Sequence, residues 1–120
     1  MFEVENNVIH VSRATKGVIT LGIPGYVFNV GDTIELRIYK KKGLDELPVK
    51  TIEKTVEEAG EYIDIVLTCE DTDIGEPVNK MVEYWYEIEL NDEETVIGFD
   101  KDGAKVLNLY PKGVEIDDQS

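Results

Sequence analysis

The stretch Val82–Leu90, V-E-Y-W-Y-E-I-E-L, restricts the fold more than any other. Val82, Tyr84, Tyr86, Ile88 and Leu90 fall on one side, and Glu83, Trp85, Glu87 and Glu89 on the other. A period of two, carried by aromatic and β-branched residues, is the pattern of a half-buried strand. A helix would scatter the three aromatics around its circumference. Residues 33–39 repeat the pattern, with Ile34, Leu36 and Ile38 opposed to Glu35, Arg37 and Tyr39. Shorter strand patterns occur at 8–11, 18–23, 61–69, 95–99 and 104–110, and residues 2–5 read as a short edge strand or a disordered start.

Turn chemistry separates these runs. Asn6-Asn7, Pro24-Gly25, residues 29–32, residues 91–94 and residues 100–103 are the expected turns. The polar segment 12–17, which holds Arg13 and Lys16, reads as a loop. Residues 49–59 carry both helical spacing and strand-prone side chains, and a strand to about Val56 is expected. In the polar connection 70–77, Asp71 or Thr72 is suited to cap a single helical turn. Many short strands at this spacing imply an all-β chain. The expected architecture is a single immunoglobulin-like antiparallel β-sandwich over residues 1–111, with a small β-barrel as the alternative. Residues 112–120 read as an acidic C-terminal tail or linker.

Charge narrows the choice of partners. Twelve basic and 26 acidic residues leave a net charge of −14 across 120 residues. Binding to nucleic acid requires an excess of Lys and Arg, so no nucleic-acid partner is expected. An anionic membrane is disfavoured for the same reason. No apolar run approaches the ~20 residues of a membrane helix, and no basic segment leads into an apolar one at the start, so no secretory leader is expected. Cys69 is the only cysteine, which rules out an intrachain disulfide and points to an intracellular origin. Its place after an apolar run reads as a partly buried spectator thiol. The single histidine, His10, lies in a strand pattern without a cysteine nearby in sequence.

Catalytic patterns are missing. Asp71-Thr72-Asp73-Ile74-Gly75 starts like a calcium loop, but glycine falls on the fifth position and Glu76 on the sixth, so the register fails. Asp100-Lys101-Asp102-Gly103 has the spacing of a hairpin turn. Glu83, Glu87 and Glu89 share one face of one strand, whereas glycosidase carboxylates oppose each other across a cleft. Nucleophile-elbow, zinc-protease and phosphate-loop motifs are absent. No catalytic residue, metal ligand or cofactor is assigned, and an enzyme is not expected. Trp85, set among glutamates, is the main candidate for a partner contact, since aromatics are enriched at interface hot spots. Glu83, Glu87 and Tyr39 are the other candidate contact residues. A carbohydrate platform built from Trp85, Tyr39, Tyr26 and Tyr110 is the competing use of these aromatics.

The order of motifs also carries a family resemblance. The run from Tyr26 to Ile34, with Gly31-Asp32-Thr33 inside it, leads into an alternating strand. Glu70-Asp71-Thr72 follows, then Tyr84-Trp85-Tyr86-Glu87-Ile88-Glu89-Leu90, a turn, and Thr95-Val96-Ile97. This resembles the small β-sandwich domains of tailed phages and prophages of Gram-positive bacteria, typified by the N-terminal domain of the baseplate upper protein. The similarity runs from about Val8 to Tyr110. Where that family often opens with an R-G-D-T-like element, this chain has Ser12-Arg13-Ala14-Thr15-Lys16-Gly17. The resemblance implies a non-enzymatic structural component of a phage, prophage or tail-like particle, assembled in the bacterial cytoplasm. Expected partners are other tail or baseplate proteins and further copies of the chain. The alternative function is a carbohydrate-binding or adhesion module.

Overall fold

The computed structural model describes residues 1–40, 47–76, 79–91 and 105–112, and the strand at 94–97. The chain forms β1 (Phe2–Glu5), β2 (Val8–Ser12), β3 (Gly17–Gly22), β4 (Thr33–Tyr39), β5 (Lys50–Thr55), β6 (Tyr62–Leu67), β7 (Val82–Leu90), β8 (Glu94–Ile97) and β9 (Lys105–Tyr110). No helix occurs among the described residues, and residues 49–59 supply the strand β5.

The large sheet runs β1-β2-β9-β7-β4-β5, with β8 paired to β7 as a seventh strand. The small sheet is the antiparallel pair β3–β6. Neither closes into a barrel. One feature of the expected fold is corrected: β2 runs parallel to β9, with Ile9 opposite Leu107 and Val11 opposite Leu109, so the large sheet is mixed. Parallel neighbours need a long crossover, and everything between β2 and β9 provides it.

Turn residues set the strand ends. Asn6 and Asn7 both have positive φ (52° and 66°), which a two-residue type I′ hairpin requires, and they join β1 to β2. At Pro24-Gly25 the amide of Tyr26 donates to the Ile23 carbonyl at 3.0 Å with Gly25 at φ 78°, a type II turn. The segments expected at residues 100–103 and beyond residue 112 lie outside the described residues. Residues 69–73 form turns in place of the helical turn considered for Asp71 or Thr72.

The inward rows of both sheets join one core. Across β4 and β7, Ile34 faces Leu90, Leu36 faces Ile88 and Ile38 faces Tyr86. Tyr84 and Leu107 meet across β7 and β9. Ile19, Leu21, Ile63, Ile65 and Leu67 of the small sheet belong to the same buried cluster, together with Phe28, Val56 and Ile74 from the connections. Outward positions of β3 and β6 stay exposed, as a period of two requires.

Leu36 is fully buried in this core, and Val66 stands on the outer face of the small sheet. Leu36→Ala is expected to cost ~2–5 kcal/mol in urea denaturation. Val66→Ala, which removes one member of an exposed cross-strand pair with Val18, should stay within about 1 kcal/mol.

Candidate functional site

The outward faces of β4 and β7 bring together the residues that alternation assigns to one side. Tyr39 lies opposite Trp85, Arg37 opposite Glu87 and Glu35 opposite Glu89. Three carboxylates converge on the Arg37 guanidinium. Its Nη1 donates to Glu35 Oε1 at 2.6 Å, its Nε donates to Glu87 Oε2 at 3.1 Å, and its Nη2 pairs with Glu89 Oε1. The Tyr39 hydroxyl donates to Glu87 Oε2 at 2.6 Å.

This face is less solvated than a polar strand pattern implies. Tyr39 and Glu87 are each only 5% exposed, and Trp85 is half-buried. Of the four candidate contact residues, only Glu83 is exposed. The expected acidic outer surface is therefore an ion-pair network with Glu87 at its buried centre. A carboxylate that is out of water must be paired, and Arg37 with Tyr39 pairs it. Burial disfavours the charged guanidinium, but the Glu89 hydrogen bond and the charges of Glu87 and Glu89 outweigh that and raise the Arg37 pKa. Burial and the bond to Glu87 push the Tyr39 phenol up to about 12.

A second cluster forms where the sequence suggests only a loop. Arg13, 5% exposed, follows β2 and reaches the chain between β6 and β7. Its Nη1 donates to the carbonyls of Ile74 and Gly75 and to Asp73 Oδ1, the latter two at 3.3 Å, and its Nη2 donates to the Glu76 carbonyl at 2.8 Å. The Arg13 amide donates to the Tyr110 carbonyl at 2.9 Å. Beside it, Thr72 Oγ1 accepts from the Thr15 amide at 2.8 Å and donates to the Thr15 carbonyl at 2.9 Å.

The same loop is braced from other sides. The Thr68 amide donates to Asp71 Oδ2 at 2.9 Å, and Lys50 Nζ lies 3.4 Å from Asp71 Oδ1. Burial pushes the Asp71 carboxyl up, but the Thr68 bonds and Lys50 outweigh it and hold it below the usual value. Gly75 has φ 69°, and a Cβ there would collide with the Tyr84 hydroxyl, so glycine is needed for both conformation and space.

Asp32 makes a third junction. It accepts from the Asn29 amide at 2.9 Å, the Tyr26 hydroxyl at 2.5 Å and Asn91 Nδ2 at 3.3 Å, while the Thr33 amide donates to Asn91 Oδ1 at 2.8 Å. The Asn29 amide, then the Tyr26 hydroxyl, lower the Asp32 pKa.

The remaining candidates are dispersed. His10 Nδ1 is 3.5 Å from Asn108 Nδ2, and its ring centroid is 6.2 Å from that of Tyr110. Tyr26 packs edge-on against Phe28. Cys69 is exposed, which corrects the expectation of a partly buried thiol. Strand β6 ends at Leu67, so its inward alternation does not reach Cys69. Among the described residues, no three His, Cys, Asp or Glu side chains converge as metal ligands.

Two consequences can be measured. Arg13→Lys should destabilise nearly as much as Arg13→Ala, by at least about 2 kcal/mol, because an ammonium cannot span acceptors on four successive residues; chemical denaturation checks this. Tyr39→Phe should remove a phenol ionising near 12 from the ultraviolet alkaline titration. The folded-state value lies above the ordinary 10.0, so the Tyr39 contribution to stability is full below pH 10 and lost between 10 and 12. Tyr39→Phe should therefore lose stability less steeply over that window. Tyr86, raised by burial, acts in the same direction in both proteins.

Compared with protein-family models, curated proteins and solved structures, the chain matches none.

Proposed function

We propose that this chain is a non-enzymatic assembly domain of a phage, prophage or tail-like particle, assembled in the bacterial cytoplasm and working through protein–protein contacts. We read its fold as an immunoglobulin-like β-sandwich. In such domains one sheet holds strands B and E, and the other holds G, F and C with C′ alongside. The pairing of β3 with β6 and the order β9-β7-β4-β5 support that reading.

One observation carries the functional reading. Several of the residues on which the family resemblance rests are committed to the framework. Asp32 and Thr33 are tied to Asn91 at the end of β7. Thr72 is tied to Thr15. Tyr84 packs against Gly75 in the loop that Arg13 holds. Motif residues used this way hold the fold together and leave recognition to the surfaces. The carbohydrate-binding alternative has less support, because Tyr39 is buried with its hydroxyl on Glu87 and Tyr26 is packed on Phe28.

Two measurements test the reading. Light scattering at low and high salt should show an oligomer that strengthens as salt screens the charge of −14. Immunogold labelling of particles sedimented from the source organism should mark a fixed position on each particle. A monomer at both salts together with unlabelled particles would overturn the proposal.

A further inference from the structure

The surface around Tyr62 sets an exposed aromatic ring among exposed carboxylates. Tyr62 opens β6 and is 67% exposed. It lies against Gly22 of β3, its cross-strand partner, where a Cβ would come within 2.6 Å of the ring. The ring is thus held in place by the backbone opposite while remaining open to solvent.

Tyr62 is also the wall shared by two open grooves. One, of about 540 Å³, lies between the type II turn, with Ile23 and Val27, and Glu61-Tyr62. The other, of about 340 Å³, is bounded by Lys54, Glu57, Glu58 and Asp64. Val27 is exposed in the first groove. Further along the outer face of the same sheet, Thr20 faces Asp64, and the exposed Val18 faces Val66. The charge here is one-sided: Glu57, Glu58, Glu61 and Asp64 stand exposed, and among the described residues Lys54 is the only cation lining either groove.

We infer that this face docks a basic segment of a partner protein, with an arginine or lysine over Tyr62 between the carboxylates and an apolar residue in the groove beside Val27. The inference rests on the assembly reading and names its contact surface. A cation over an aromatic ring flanked by carboxylates gains from both the ring quadrupole and the charges. Charge decides the occupant. A second copy docked here through the same face would set Glu57, Glu58, Glu61 and Asp64 against one another, so self-association uses another surface, and a phosphate backbone is repelled likewise.

The test is isothermal titration calorimetry on the full chain with a synthetic peptide of alternating arginine and leucine. A peptide of alternating glutamate and leucine is the control. One-to-one binding of the basic peptide alone is expected. Tyr62→Ala should weaken it ~10-fold, and so should Glu58→Lys with Glu61→Lys. Glu3→Lys with Glu5→Lys, which gives the same total charge at β1, should stay within about twofold. Equal weakening by the two double variants would reduce the effect to long-range charge and overturn the inference. Unchanged binding by a folded Tyr62→Ala protein would do the same. If Tyr62→Ala abolished self-association and left peptide binding intact, the face would be a contact between copies and the inference would fail. Labelled particles that incorporate the Tyr62→Ala chain normally would overturn this inference alone, whereas unlabelled particles bear on the assembly reading.

Discussion

The antiparallel ladder between β4 and β7 is the constraint to which both faces of the large sheet answer. Its register sets Ile34, Leu36 and Ile38 against Leu90, Ile88 and Tyr86, which fills the core from one side. The same register sets Arg37 against Glu87 and Tyr39 against Trp85 on the other side. A slip of one residue would turn the apolar row to solvent and bury three glutamates without a cation. The core and the ion-pair network therefore depend on a single alignment, and each penalises the same error.

Both arginines of the chain serve as such fixed points, while all ten lysines are left for other positions. Arg37 draws three carboxylates together on a sheet face, and Arg13 gathers carbonyls from a loop distant in sequence. A planar guanidinium with five donors can satisfy several acceptors in fixed directions, which a lysine ammonium cannot do. In a chain with a large acidic excess, these two groups carry much of the long-range polar order.

The sequence was most informative where a local pattern has a local cause. Strict alternation placed the inward residues of β4 and β7, and Asn6-Asn7 and Pro24-Gly25 marked turns through backbone needs of their own. Alternation states which side a residue takes, but it says nothing about what covers that side; the burial of Glu87 and Tyr39 was hidden for that reason. The parallel pairing of β2 with β9 joins strands far apart in the chain, and no nearby residue records it. A cation among polar neighbours resembles a solvated one, so by sequence Arg13 belongs to a loop. Its one visible signal is the scarcity of arginine. The grooves at Tyr62 arise where a turn after β3 meets the start of β6, a juxtaposition that exists only in three dimensions.

The placement of β2 beside β9 has a consequence for the order of events as the chain emerges from the ribosome. The β1–β2 hairpin is made before β3 to β8, yet its neighbour in the sheet, β9, comes after all of them. Until then the inward side chains Ile9 and Val11 lack Leu107 and Leu109 across the sheet. Pairings this distant in sequence form slowly and late. The nascent chain must carry a hairpin with one open, partly apolar edge while β3 to β8 are made, an interval in which a chaperone or a neighbouring nascent chain can reach a surface that the folded domain no longer shows.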